Sequence, residues 1–144
     1  MKYASLDLIK MTAGEVVSLL KKNVVSPTEL LDALEQRINE VDKEVNSLPT
    51  LCFTRARSEA SKLMQKPIED RGILAGLPIA IKDLAPVKDV RSTWGSLIYK
   101  DFVPNAQTVW SKMLKQKGLL FMQSQIHLNL GLELIRLMKY SEQH

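Results

Sequence analysis

Apolar residues recur at helical spacing through the first half of the chain and in short continuous runs through the second. Thr12-Ala13-Gly14-Glu15 stands before Val16, Val17, Leu19 and Leu20. A threonine followed three residues later by glutamate is a capping box, so a helix is predicted from here to about Lys21-Lys22-Asn23. Ser26-Pro27-Thr28-Glu29 is a second box, with proline at the first helical position. The helix that it opens carries Leu30, Leu34, Ile38, Val41 and Val45 on one predicted stripe. Glu35, Arg37, Asn39, Glu40 and Lys43 fall mostly on the other side. A turn is expected at residues 46–49, and a more polar third helix from Arg55 to Lys66, stopped by Pro67.

After a linker over residues 66–72 the character changes. Leu77 to Ile81 is an apolar run too short for a helix and suited to a buried strand, with Lys82 at its end. Residues 73–85 and 87–99 read as strand and loop, broken by Gly76, Pro78, Pro86 and Gly95. Thr108 to Lys117 is helical, Gly118 stops it, and Leu119 to Met122 is a further buried strand. Strand, helix and strand in that order predict a βαβ crossover and a parallel pair covered by the preceding helices. In the tail, Leu128, Leu130, Leu132 and Leu134 alternate like a strand, while Leu130, Leu134, Leu137 and Met138 fit a helix, which is preferred. The fold class is α/β: a helical part over residues 1–70, the lysine strand and crossover over 71–122, and a tail over 123–144.

Composition narrows the function classes. At 144 residues, 45% hydrophobic and 25% charged, the chain has the make-up of one ordered domain. Its net charge of +4 is scattered, with no basic stripe, so a nucleic-acid partner is not expected. No run approaches the ~20 apolar residues that span a bilayer, and no apolar leader is seen, so a cytoplasmic location without membrane contact is expected. Cys52 is the single cysteine and lies between Leu51 and Phe53. A small packed hydrophobe is expected there rather than a nucleophile. His127 and His144 have no partner at ligand spacing, so no metal is expected.

The candidate chemistry lies in Ala75-Gly76-Leu77-Pro78-Ile79-Ala80-Ile81-Lys82-Asp83. A lysine ending an apolar strand is costly to desolvate unless its charge or lone pair is used. By itself it can also be a lysine that snorkels out at a strand end. Arg91-Ser92-Thr93-Trp94-Gly95-Ser96 and Asp101-Phe102-Val103-Pro104 follow. In this order the three segments closely resemble the N-terminal part of the amidase signature family of hydrolases. Upstream, Ser26 to Leu30, Arg37-Ile38 and Val45 to Phe53 are similar to the family's leading helices and the segment after them, so the resemblance covers residues 5–122.

The resemblance implies the first strands of a larger mixed sheet and, in a complete member, hydrolysis of a carboxamide. That chemistry runs through a Ser–Ser–Lys triad and an acyl-serine intermediate, without cofactor or metal. It makes Lys82 the base, acting through a bridging serine, and leaves Asp83 either to support the site or to cap backbone N–H groups in its loop. Ser92 and Ser96 lie close in sequence to Lys82 but match neither family serine, and Trp94 is expected to pack under the lysine strand. The family's Gly/Ser-rich segment, which carries both serines and the oxyanion donors, is absent from the sequence. Where the family continues with Lys-Thr/Ser-Asn and Pro-Glu-Phe, this chain has Gln123 to Asn129, of which Ser124 alone fits. The expectation is therefore a truncated member, inactive alone. Its partners would be the family's small-molecule amide substrate and, at an open sheet edge, a second copy or a complementing chain. The competing expectation is a non-catalytic binding module.

Overall fold

The computed structural model describes residues 5–106 and 108–125. Its elements, in chain order, are α1 (Ser5–Lys10), α2 (Ala13–Lys21), α3 (Pro27–Val45), β1 (Thr50–Leu51), α4 (Phe53–Met64), β2 (Pro78–Lys82), α5 (Val109–Gln116) and β3 (Leu120–Gln125). Short 3-10 turns occupy Ile68–Arg71 and Leu97–Tyr99.

Both capping boxes form. Thr12 Oγ1 accepts from the Glu15 N–H at 3.3 Å, and the Glu15 carboxylate accepts from the Thr12 N–H at 2.7 Å. Ser26 and Glu29 repeat the exchange at 3.2 and 2.8 Å. These hydrogen bonds satisfy donors that a helix start leaves orphaned. The donors around Ser26 hold the Glu29 carboxyl below its ordinary value. At the other end of α3, Asn46 adopts φ 50° and stops the helix with a left-handed cap.

The predicted stripe of α3 needs correction. Leu30 and Ile38 are buried as expected, but so are Leu31 and Ala33, while Val45 is exposed. The cause is that α3 is packed on two sides. Leu31 and Ile38 meet Leu48, Phe53, Ala56, Ala60 and Leu120. Leu30 and Ala33 meet Leu8, Val16, Leu20 and Val25. Val45 lies in the last turn, beyond both clusters. The third helix begins and ends two residues earlier than predicted, and the linker contains a 3-10 turn. The helix α1 and the strand β1 add to the predicted elements.

The crossover is present. β2 and β3 pair in parallel, with α5 between them in sequence, and β1 adds to β3 antiparallel, giving the order β1-β3-β2. Leu74 N–H to Lys117 O (2.9 Å) and Gly76 N–H to Gly118 O (2.7 Å) join the segments that enter the two strands. Gly118 has φ 85°, and a Cβ there would stand 2.1 Å from the Arg71 carbonyl oxygen. Arg71 itself is buried, donating to the Lys66 and Met64 carbonyls at 3.0 Å each and to Asn23 Oδ1 at 3.2 Å. It thereby closes the end of α4 and ties it to the end of α2.

The strand β2, expected to be buried, is half-buried: only Ile81 among its five residues is fully covered. Among the described residues β2 is paired on one side only, so its other edge is open. The strand β3 runs to Gln125, into the region assigned to the tail. The helix preferred for residues 128–144 lies outside the described residues, as do His127 and His144.

Candidate active site

Side chains alternate between the two faces of a strand. Ile79 and Ile81 take one face of β2 and join Val87, Val90, Leu119 and Phe121, with Trp110 and Leu114 of α5 packed against them. Pro78, Ala80 and Lys82 take the other. Leu120, opposite Pro78 in register, belongs to the cluster beneath α3 and α4. The sheet thus has α5 on one side and α3 and α4 on the other.

Lys82 stands at the carboxyl end of β2 and is half-exposed. Its partner in register is Gln125 of the parallel strand β3. The carboxyl ends of parallel strands are where open α/β sheets place ligands. Among the described residues the Lys82 ammonium has no hydrogen bond and no ion pair. A small space lined by Cys52, Ile81, Val87, Val90, Ser92 and Phe121 lies in the Ile81 core, and Lys82 is not one of its walls.

Asp83 is buried at 2% exposure. Both carboxylate oxygens accept from the Thr93 N–H at 2.9 Å, and one also accepts from the Thr93 hydroxyl at 2.7 Å. Thr93 Oγ1 in turn accepts from the Gly95 N–H at 3.3 Å. Through these bonds Asp83 ties the turn at Thr93 to the end of the lysine strand. Arg91 adds a second tie, donating to the Pro49 and Lys100 carbonyls at 3.0 and 3.2 Å.

The serines near Lys82 have structural roles. Ser92 is buried; its hydroxyl donates to the Val90 carbonyl at 3.3 Å and its N–H to the Phe102 carbonyl at 3.0 Å. Ser96 Oγ accepts from the Ile98 N–H at 3.3 Å at the start of the 3-10 turn. The expectation for Trp94 is corrected. Its ring is partly exposed and packs on Tyr99 and Phe102, with centroids 4.6 and 5.3 Å away. Trp94 takes φ 51° in the turn bridged by the Gly95 N–H to Thr93 Oγ1 contact, and its ring joins those of Tyr99 and Phe102.

Cys52 packs as a small hydrophobe against the Ile81 cluster, its thiol donating to the Phe121 carbonyl at 3.4 Å. Burial pushes the thiol up to about 11, outweighing the opposing pull of Arg55. Beside it Glu59 Oε1 lies 2.5 Å from Lys115 Nζ and 3.2 Å from Arg55 Nε. Sequence reading missed this ion cluster and the Arg71 lock, because their members come from segments up to 56 residues apart. Among the described residues no group of His, Cys, Asp and Glu is arranged to hold a metal, and no helix is long and apolar enough to cross a membrane.

Comparison with known proteins gives one consistent family. The Amidase family profile matches residues 29–124. The chain is 34% identical over 113 residues to a glutamyl-tRNA(Gln) amidotransferase subunit of Halothermothrix orenii, covering 78% of this chain and 22% of that one. It is 38% identical over 101 residues to the same subunit of Desulforamulus reducens, covering 69% and 21%. Among solved structures, a fatty acid amide hydrolase superposes with TM-score 0.77 at 20% identity, over 87% of this chain and 22% of that one. A bacterial aryl acylamidase of the amidase signature enzymes superposes with TM-score 0.71 at 24% identity, over 80% and 25%. The chain spans about a fifth of the length of the curated relatives it matches. With the profile covering most of its length and its fold that of these enzymes, the chain belongs to the amidase signature family.

Proposed function

We propose that this chain is the lysine-bearing part of an amide-hydrolysing domain, with Lys82 as the base that takes a proton through a serine supplied from elsewhere. The observation that carries the reading is the placement of Lys82. It stands at the carboxyl end of β2 beside the parallel strand β3, has no ion partner among the described residues, and adjoins a loop clamped by Asp83. Such a lysine is set to meet a group approaching from outside the described residues. Asp83 acts indirectly in this account, holding the Thr93–Ser96 turn in place.

Acyl transfer from an amide needs an activated hydroxyl, a base for its proton and donors for the oxyanion. Lys82 supplies the base. Ser92 and Ser96 are already committed within their loop, so neither supplies the hydroxyl. The substrate is a carboxamide, the class named by the aryl acylamidase and amide hydrolase likenesses. The 144 residues alone are inactive and form one partial domain, whose open β2 edge takes up a complementing chain or a second copy. No metal or organic cofactor takes part, and the location is cytoplasmic.

The test is a hybrid in which residues 29–124 replace the matching segment of the Halothermothrix orenii protein. Carboxamide hydrolysis by the hybrid, lost on Lys82→Ala, is expected. A folded hybrid whose hydrolysis survives Lys82→Ala contradicts the assignment. The alternative, a non-catalytic binding module, is favoured by the exposed side chains of Leu97 and Ile98, and it predicts a folded hybrid without hydrolysis.

A further inference from the structure

The backbone leaves the lysine strand through a tight turn. The Lys82 carbonyl accepts from the Ala85 N–H at 2.9 Å, with Asp83 and Leu84 between them. Strand pairing thus holds Lys82 on its N-terminal side and this turn holds it on the other. The two central residues differ in environment: Leu84 is 54% exposed, whereas Asp83 is 2% exposed. Of the two, Asp83 anchors the turn, and a carboxylate buried so deeply is costly unless donors meet it.

Thr93 meets it with two donors. Its N–H reaches both carboxylate oxygens at 2.9 Å, and its hydroxyl donates to Asp83 Oδ2 at 2.7 Å. The same hydroxyl oxygen accepts from the Gly95 N–H at 3.3 Å. The Thr93 hydroxyl therefore joins the turn that begins at Lys82 to the turn that follows Thr93. Nearly any residue offers the backbone N–H, but the hydroxyl is a property of the side chain. Serine supplies the same donor and acceptor, and valine keeps the shape without them. Ser96, in the same loop, spends its hydroxyl on the Ile98 N–H instead.

We propose that Thr93 is a positioning residue for Lys82: its hydroxyl sets the Asp83 carboxylate and, through the turn over residues 82–85, the place from which the Lys82 amine takes its proton. The proposal rests on the reading of Lys82 as the base. Thr93 touches neither substrate nor reacting atoms in this account and works through Asp83. Proton transfer tolerates little displacement, and a misplacement of about 1 Å can cost about 100-fold in rate. Loss of the hydroxyl should therefore appear in kcat and spare KM.

The experiment uses the Halothermothrix orenii hybrid carrying residues 29–124 and, in parallel, the 144-residue chain. In the hybrid, Thr93→Val and Thr93→Ala should each lower kcat for carboxamide hydrolysis by about tenfold or more and leave KM within about twofold. Thr93→Ser should restore kcat. Ser96→Ala, which removes the hydroxyl that caps Ile98, should leave both constants unchanged. In the 144-residue chain, Thr93→Val should speed exchange of the Ala85 amide by about tenfold or more while α3 keeps its protection, and Thr93→Ser should not. The proposal is overturned by wild-type kcat in Thr93→Val, by a change confined to KM, by equal losses in the serine and valine variants, or by an equal loss in Ser96→Ala. Unchanged Ala85 exchange in Thr93→Val overturns it without recourse to hydrolysis. If Lys82→Ala abolishes hydrolysis and Thr93→Val leaves it whole, the base stands and the role of Thr93 falls. If hydrolysis by the folded hybrid survives Lys82→Ala, the base assignment falls and the proposal with it.

Discussion

Asp83 grips Thr93 through three short contacts, two to its N–H at 2.9 Å and one to its hydroxyl at 2.7 Å. A charged acceptor buried to 2% and shared between backbone and side chain fixes the position of a loop more strongly than a surface hydrogen bond does. Thr93 lies ten residues after Asp83, in the loop that carries Trp94, Tyr99 and Phe102. Lys82 is therefore linked to that loop through its neighbour Asp83.

Breaking this grip should loosen the loop without unfolding the chain. For Asp83→Asn the expected loss is about 1.5–3 kcal/mol, the range for hydrogen bonds to charged groups. Hydrogen exchange should accelerate most at residues 92–99 and least in α3. Uniform acceleration throughout the chain would mean that Asp83 serves the global core and not the loop.

Gly118 should tolerate no side chain. Alanine there must hold a positive φ and place its Cβ against the Arg71 carbonyl. A destabilisation of about 2 kcal/mol or more is expected from backbone strain and the clash together. Thermal unfolding of Gly118→Ala near the wild-type midpoint would contradict the described pairing of the two strand-entry segments.

Cys52 should resist alkylation in the native chain at pH 8.5, since burial keeps the thiol protonated well above that value. Its reaction with iodoacetamide should accelerate to the rate of an exposed thiol in denaturant. The sign of the pH effect follows from the raised pKa. This contribution to stability is complete below the ordinary thiol range and is lost as pH rises through about 11. Rapid native alkylation would place the thiol outside the Ile81 core.

Glu29 gives the opposite dependence. Its carboxyl is held below the ordinary value by the Ser26 N–H and hydroxyl. Its stabilisation is present above the usual carboxylate range and is lost as pH falls through the lowered value. Glu29→Gln should therefore flatten the acid limb of the stability curve. An unchanged acid limb would show that the capping box contributes nothing through charge.

Local signals are readable from sequence and non-local ones are not. The boxes at Thr12 and Ser26, the crossover helix and the lysine strand end all depend on neighbours within a few residues, and all form. The two-sided packing of α3 is hidden because Leu31 and Ala33 become core only once α4 and α2 take their places. The two residues of β1 carry too little pattern to register, and their pairing partner is more than seventy residues away. Trp94 looks like core from its type alone, whereas it sits in a positive-φ turn with its ring partly exposed against Tyr99. Lys82 and Asp83 are proposed for the site from the segment they share with the family, which the family profile spans. The hold of Asp83 on Thr93 needs the structure.

The central claim is that Lys82 is a catalytic base whose serines come from outside these 144 residues. It is tested most directly by amide hydrolysis in the Halothermothrix orenii hybrid carrying residues 29–124, compared with the 144-residue chain by itself. The account predicts no saturable turnover by the chain alone. It predicts turnover by the hybrid that falls about 10⁴-fold or more on Lys82→Ala while the hybrid stays folded. Turnover by the chain alone that Lys82→Ala abolishes would contradict the account and put Ser92 or Ser96 in the nucleophile's place; a hybrid indifferent to Lys82→Ala would contradict it from the other side.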